Sequence, residues 1–534
     1  MQPVTMRGSP ANSRASSPTW QPAAPQLWAW LVAHAGLAAA LVAVPAQLNW
    51  LLVLTVWVNV TLYTLRNLRG RPFLLAFCAA FFVFLLGGET LTRLFGFPGP
   101  AFPPEIDAAL ARILGIGLVA VWTGYVGWVR LKSQGPTVLA ATHGGSQSED
   151  VWVSAVCRIA RVAFWVTLPF AFALAVEQAV FVSRFGYLES YTDAFLGGGS
   201  SVVDALVAQI AAMNFAALAV YLAAMPARRP ALWVLGGWLG SQIVALASGQ
   251  RAPLVSGVLF VLCYLVIRSR LTPRENWLPA QQGLLALAAL PVGIMLLEWV
   301  QELRGVRGAH SGGIAEALPN FFLNQGVSAT VVARGMEFRS ALPGQTYLLE
   351  FIHRGIPARL LGLPVLQGNS LERALEGGSY GHSVSYVLLG DRYLAGAGSG
   401  SSFLAEANVD LGILGVLLVG VMFGVLLAEA DRLSLNAILP NTLRLLIVPD
   451  LILAPRSSAT AFISTLLAPS TFVPILAVLI LAMLSTHSPR VPARLPDSNV
   501  HPARDRLATG RRAVMPSSDI AVGVTRSPRR ASAL

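Results

Sequence analysis

The sequence predicts an all-α polytopic membrane protein with about 12 transmembrane helices and one long, mainly helical loop on the outer side. Three observations lead there. Hydrophobic residues make up 55% of the 534 and charged residues only 12%, against about 25% charged in an ordinary soluble domain. Twelve apolar segments each offer the roughly 20 residues that a helix needs to cross the hydrocarbon. Basic residues gather at alternate connections between them, as expected where lysine and arginine are retained on the cytoplasmic side.

Residues 1–25 are rich in Ser, Pro and Ala and read as a disordered cytoplasmic tail. No small-residue cleavage site follows the first apolar segment, which is therefore expected to be a true span. Nine spans fill 26–301, at 26–45, 47–65, 72–90, 108–129, 162–183, 205–225, 231–248, 254–268 and 281–301. The inner connections receive Arg66, Arg69 and Arg71, then Arg130, Lys132, Arg158 and Arg161, then Arg228 and Arg229, then Arg268, Arg270 and Arg274. A polar subdomain is expected over 302–407. Three more spans fill 408–485, at 408–428, 434–454 and 463–485, with Arg432 at an inner turn. Residues 486–534 form a disordered basic tail, and the even span count places both termini in the cytoplasm.

The formal charge of +12 follows largely from this topology and the basic tail. Without the aromatic interleaving that single-strand binding uses, it does not indicate a nucleic-acid partner. Cys78, Cys157 and Cys263 lie in or next to spans, so neither a disulfide framework nor a zinc site is encoded. Glu105-Ile106-Asp107 reads as a helix start, and no metal or other cofactor is expected.

Chemistry concentrates in the long loop. It carries Arg304, Arg307, Arg334, Arg339, Arg354, Arg359, Arg373 and Arg392, nearly balanced by seven acidic residues. Surface ion pairs on an ordinary subdomain would account for these charges. So would convergence of some guanidiniums on a diphosphate, whose oxygens they bind two at a time. Arg251, in the tight Gly249–Pro253 connection, and Arg456, after Pro455, fall at the same outer boundary. Glu89, Glu177 and Glu298 lie in the outer parts of their spans. An intramembrane carboxylate costs about 2.5 to 3.5 kcal/mol, so each should face protein or water.

The Gly396–Ser402 run, including Gly398, Gly400 and Ser401, leads directly into a helix. Such a run serves either as a flexible hinge or as an anion cradle built from backbone N–H groups and the helix dipole. No strand precedes it, which excludes a dinucleotide fingerprint. Glu406 and Asp410 are four apart and so share one helical face. Both suit a first helical turn, and Glu406 could also pair with an arginine or act as a general base. His382 and His353 are the imidazole alternatives for that role, beside an ordinary structural use.

In three stretches the chain resembles the Wzy family of O-antigen and capsular repeat-unit polymerases. These are the Ser248–Pro253 turn, Asn324-Gln325-Gly326-Val327-Ser328, and the segment from Asp391 through the Gly/Ser run to Gly415. The long loop lacks the paired arginine-to-glycine motif with ten intervening residues that some members carry. The resemblance implies a glycosyltransferase of the bacterial inner membrane with its active site at the periplasmic face. Its substrates would be polyprenyl-diphosphate-linked oligosaccharides, and a chain-length regulator and a flippase would be its partners. An O-antigen ligase shares this architecture. A secondary transporter would instead use Glu89, Glu177 and Glu298 as an ion relay, but it calls for an internal repeat that the sequence lacks.

For the polymerase reaction, the expected diphosphate clamp is Arg251, Arg304, Arg307, Arg354, Arg392 and Arg456, helped by Gly398, Gly400 and Ser401. Glu406 or His382 would deprotonate the acceptor hydroxyl. Arg251→Ala is expected to abolish long-chain glycan while leaving the protein inserted, as a polysaccharide gel beside a membrane immunoblot would show.

Overall fold

Long helices dominate the computed structural model, which describes residues 46–134, 147–192, 201–279, 314–435 and 437–487, with isolated positions at 29–43 and at 293. Ala46–Leu65 forms α1. Pro72–Phe81 (α2), a π-helical turn over Phe82–Leu86 and Gly87–Phe95 (α3) together make one span. Pro104–Gln134 (α4), Gln147–Phe185 (α5), Val202–Ala223 (α6), Arg228–Leu246 (α7) and Ala252–Leu271 (α8) follow. The last four helices are Phe403–Ala430 (α15), Ile438–Leu453 (α16), Ala461–Leu467 (α17) and Pro469–His487 (α18). Among the described residues no strand occurs, and eight helices are long and apolar enough to cross a membrane. Helices α1 and α7 occupy two further expected span positions. The expected spans at 26–45 and 281–301 lie outside the described residues, apart from isolated positions.

Between α8 and α15 the long loop is mainly helical where it is described. It contains Ile314–Gln325 (α9), Val327–Glu337 (α10), Gly355–Leu360 (α11), Leu371–Glu376 (α12), Tyr380–Leu389 (α13) and Asp391–Leu394 (α14). Residues through His487 belong to one compact unit, so the described loop helices share it with the membrane helices. Helix α9 lies along α3 and the π-helical turn, where the rings of Phe322 and Phe82 meet edge to face at 5.6 Å.

One helix pair organises the interior. Helices α4 and α15 run so close that a Cβ added to Gly124 would sit 2.1 Å from the Val421 carbonyl oxygen. A Cβ on Gly424 would sit 2.0 Å from that of Val121. Gly420-Val421-Met422-Phe423-Gly424 is thus a small-residue seam, the device that lets membrane helices associate through backbone contact. Below the seam, Asp431 is buried and accepts the Phe73 N–H and the Tyr125 hydroxyl, both at 2.9 Å. Its backbone carbonyl accepts Arg270 Nη2 at 3.0 Å, so α2, α4, α8 and α15 meet at one residue.

At the opposite end of α4, Arg93 donates to Glu89 at 3.1 Å and grips Asp107 with both branches of its fork. The carboxylate expected to face protein at position 89 does so. Glu177 instead occupies an exposed position on α5, and Glu298 lies outside the described residues. Glu89 therefore has an ion-pair partner in Arg93.

The tenth expected span differs most from its sequence pattern. At Gly412 the backbone takes φ 62° and ψ −149°, a region open to glycine, and α15 breaks into a lead-in over 403–411 and a continuation over 413–430. The lead-in is buried through Asn408, so it belongs to the protein interior and not to a lipid-facing wall.

Gly424→Leu should cost about 3 kcal/mol, the upper end of the usual overpacking range, because the added side chain strikes backbone. Gly127→Ala, beside open space, should be tolerated. Thermal unfolding of the purified protein in detergent, followed by size-exclusion chromatography, checks both.

Candidate functional site

The lead-in of α15 holds the loop through a carboxylate. Asp410 accepts the N–H groups of Leu348 at 2.7 Å and Tyr347 at 3.1 Å, capping the 3-10 helix Tyr347–His353. Arg339 adds a bond from Nη2 to the Val409 carbonyl at 2.7 Å. That helix consequently presents Glu350, His353 and the following Arg354 from a fixed base.

These three residues line a small cleft together with Pro364, Leu366, Arg373, Gly377 and Ser379. Glu350 is buried and forms an ion pair with Arg354, whose side chain remains 44% exposed. Arg373 enters from α12. Its N–H is capped by Ser370 Oγ at 3.1 Å, and its Nη1 donates to the Gly368 carbonyl at 3.0 Å. Burial, and next the charge of Arg354, lowers the pKa of Arg373, which places the two guanidiniums within electrostatic reach of each other. Two guanidiniums thus line the cleft with one carboxylate, a surplus that suits an anion with several oxygens.

His382, on α13, is not among the residues that line the cleft but lies within electrostatic reach of this pair. The Tyr393 hydroxyl donates to the Ser370 carbonyl at 3.3 Å and lies 3.0 Å from His382 Nδ1. With its proton committed, that hydroxyl accepts, which assigns the hydrogen to Nδ1 and leaves a lone pair on Nε2. Burial first, and then Arg373 and Arg354, push the imidazole from its ordinary 6.5 down to about 3. It is neutral across the physiological range.

Glu406 occupies a different place from the base that its position suggests. Fully buried, it accepts Ser401 Oγ at 2.6 Å, Ser458 Oγ at 3.1 Å and the Ala459 N–H at 2.8 Å. A carboxylate holding three donors and no solvent cannot meet a sugar hydroxyl without first dismantling its own shell. It fastens the turn between α16 and α17 to the start of α15. Arg456, in that turn, donates Nη1 to Gln325 Oε1 at 3.0 Å and lies over the Phe84 ring at 5.4 Å.

In the Gly/Ser run, several of the backbone donors are already used. Gly396 donates to Tyr393, Ala397 to Arg392, and Ser399 to Ser385 Oγ at 2.9 Å. Gly398 and Gly400 remain exposed, while Ser401 is buried against Glu406. Arg392 is exposed on α14, and Arg251 is half-buried as the residue before α8. Arg304 and Arg307 lie outside the described residues. Of the expected clamp, Arg354 alone lines the cleft. Arg373 and Glu350 complete it, although in sequence they look like balancing surface charges. For Arg373 the sequence signal is Ser370, which caps the short helix that carries it.

Buried carboxylates thus hold the loop and the α16–α17 turn to the start of α15, and the same loop forms a cleft lined by two guanidiniums. Residues 31–487 match the family model for O-antigen polysaccharide polymerase Wzy. The chain belongs to that family. It is a membrane polymerase of O-antigen repeat units and acts on lipid-linked oligosaccharide. No curated protein and no solved structure matches it. In this polymerase, the Asn324–Ser328 stretch and the Gly/Ser–Glu406 segment meet at the Arg456 turn, through Gln325 and Glu406 respectively.

Glu406→Gln keeps an acceptor for Ser458 and Ala459 and should retain at least about a tenth of wild-type polymer. Glu406→Ala should lose polymer because the turn detaches. A general base would fail equally in both variants, since neither amide nor methyl takes a proton. Glycan ladders normalised to protein level distinguish the two roles.

Proposed function

We propose that polymerisation takes place at the Arg354–Arg373 cleft, on the periplasmic face of the inner membrane. The observation that carries this reading is a pair of guanidiniums lining one small cleft beside a single carboxylate, which pairs with Arg354. A diphosphate is a good leaving group, and cations at its oxygens stabilise the charge that develops as it departs. Arg354 and Arg373 hold the diphosphate of the polyprenyl-linked donor. The acceptor sugar hydroxyl attacks the anomeric carbon of the donor, and the bond from that carbon to the phosphate oxygen breaks. The electron pair leaves with the polyprenyl diphosphate. The hydroxyl proton passes to His382 Nε2, and Tyr393 keeps the ring in the required tautomer. Glu406 and Asp410 are positioning residues in this scheme, and Arg456 with Gln325 braces the α16–α17 turn.

The orientation is supported by the distribution of arginines. At the end away from the cleft, Arg270 binds Asp431, Arg444 pairs with Glu429 at 2.6 Å, and Arg71 bonds the Tyr63 carbonyl at 2.5 Å. Short connections rich in arginine are those retained in the cytoplasm. The cleft then faces outward, where flipped lipid-linked units arrive.

Arg354→Ala or Arg373→Ala should lower the polymerisation rate by about 10²- to 10³-fold, the usual loss when one charge-stabilising donor is removed. Lipid-linked single units should persist, as extraction and mass spectrometry would show. Accumulation of unattached lipid-linked polymer would instead indicate a ligase. Because the depressed pKa of His382 keeps its proton-accepting form populated, kcat/KM should stay level from pH 8 to 5 and fall only in more acid solution. An acid limb near pH 6.5 in a purified assay would exclude His382 as the base.

A further inference from the structure

Beside the cleft, an apolar segment is turned away from the protein. Leu360 is 81% exposed, Leu361 62% and Val365 40%, and Arg359 at their head is also exposed. The segment is an ordered turn. Leu363 N–H donates to the Ala358 carbonyl at 2.8 Å and Gly362 N–H to the Arg359 carbonyl at 3.3 Å. With Gly362 at φ 68°, this is the paired bonding that closes a helix in a Schellman motif. The hydrophobic side chains are therefore held outward by backbone structure.

Its location identifies what covers it. Helix α11, which ends in Leu360, packs against α17. Helix α17 leads through Ala468 into α18, a membrane-length helix with outward Leu476, Ile480 and Leu484. The turn thus lies at the level where α18 meets the bilayer. On its other side, Pro364 and Leu366 line the cleft with Arg354 and Arg373. An apolar tip flanked by a cation is the pattern of segments that sit in the interfacial zone, with hydrocarbon contact beyond the headgroups.

We infer that residues 359–366 are a tongue seated in the bilayer, with Leu360, Leu361 and Val365 in the hydrocarbon of the leaflet that borders the cleft. Arg359 stands at headgroup depth. The inference needs only the membrane position of α18 and does not depend on which reaction the cleft performs. It places the cleft mouth at the membrane surface, where a lipid-linked diphosphate can reach the guanidiniums while its tail stays in hydrocarbon.

The test uses the full chain in nanodiscs of phosphatidylethanolamine and phosphatidylglycerol. Leu361→Cys and, as a second site, Val365→Cys are labelled with an environment-sensitive nitrobenzoxadiazole dye, and the unsubstituted chain gives the background from its own cysteines. Insertion predicts blue-shifted emission that loses intensity when acyl-chain doxyl lipids are included. Water-like emission at both sites would overturn the inference. So would blue-shifted emission that doxyl lipids leave undiminished, because protein, including a second copy of the chain, would then be the cover. Polymer formation does not enter the readout, so this result can fail or succeed separately from the proposed reaction.

Discussion

Backbone-to-backbone contact between α4 and α15 is the constraint on which the remaining structure rests. Lipid offers two membrane helices no hydrophobic incentive to associate, so close van der Waals approach must supply it. Gly124, Gly420 and Gly424 allow that approach, and any side chain there would occupy carbonyl or neighbouring side-chain space. Once α4 and α15 are joined, their ends are fixed as well. Asp107 at the start of α4 meets Arg93, and Glu406 and Asp410 at the start of α15 receive the loop and the α16–α17 turn.

Helix α15 therefore works as a strut with polar fastenings at both ends. Asp431 gathers α2, α4 and α8 at one end, while the lead-in over 403–411 gathers the loop at the other. Gly412 separates the two tasks. A continuous helix would carry the direction of the span straight into the loop. The break lets the lead-in fold back beside the continuation, with the Phe403 and Phe423 rings 4.7 Å apart and Leu404 against Gly117 of α4.

The sequence revealed the helical class, the inward-facing position of Glu89 and the polar character of the 302–407 region, because composition and hydropathy report average environment. It also brought attention to Arg354, Glu406 and His382. Their roles depend on contacts across long separations, and spacing does not encode these. Glu406 lies in a first helical turn, yet Ala459, 53 positions away, helps to decide that it is buried and saturated. Arg373 and Glu350 look like ordinary members of a balanced charge set until the loop folds them onto one cleft. The break at Gly412 was equally hidden, since a glycine within an apolar run fits an uninterrupted span.

The Glu350–Arg354 pair has a consequence for turnover in the proposed reaction. Glu350 is fixed in the 3-10 helix and remains next to Arg354 whatever else occupies the cleft. An arriving diphosphate must take the guanidinium from this internal carboxylate, and a departing one surrenders it to the same group. Affinity for every diphosphate is thereby lowered, that of the spent carrier lipid included. A repeating enzyme gains from such a competitor, because the carrier left after each sugar transfer is displaced from within and the cleft is ready for the next unit.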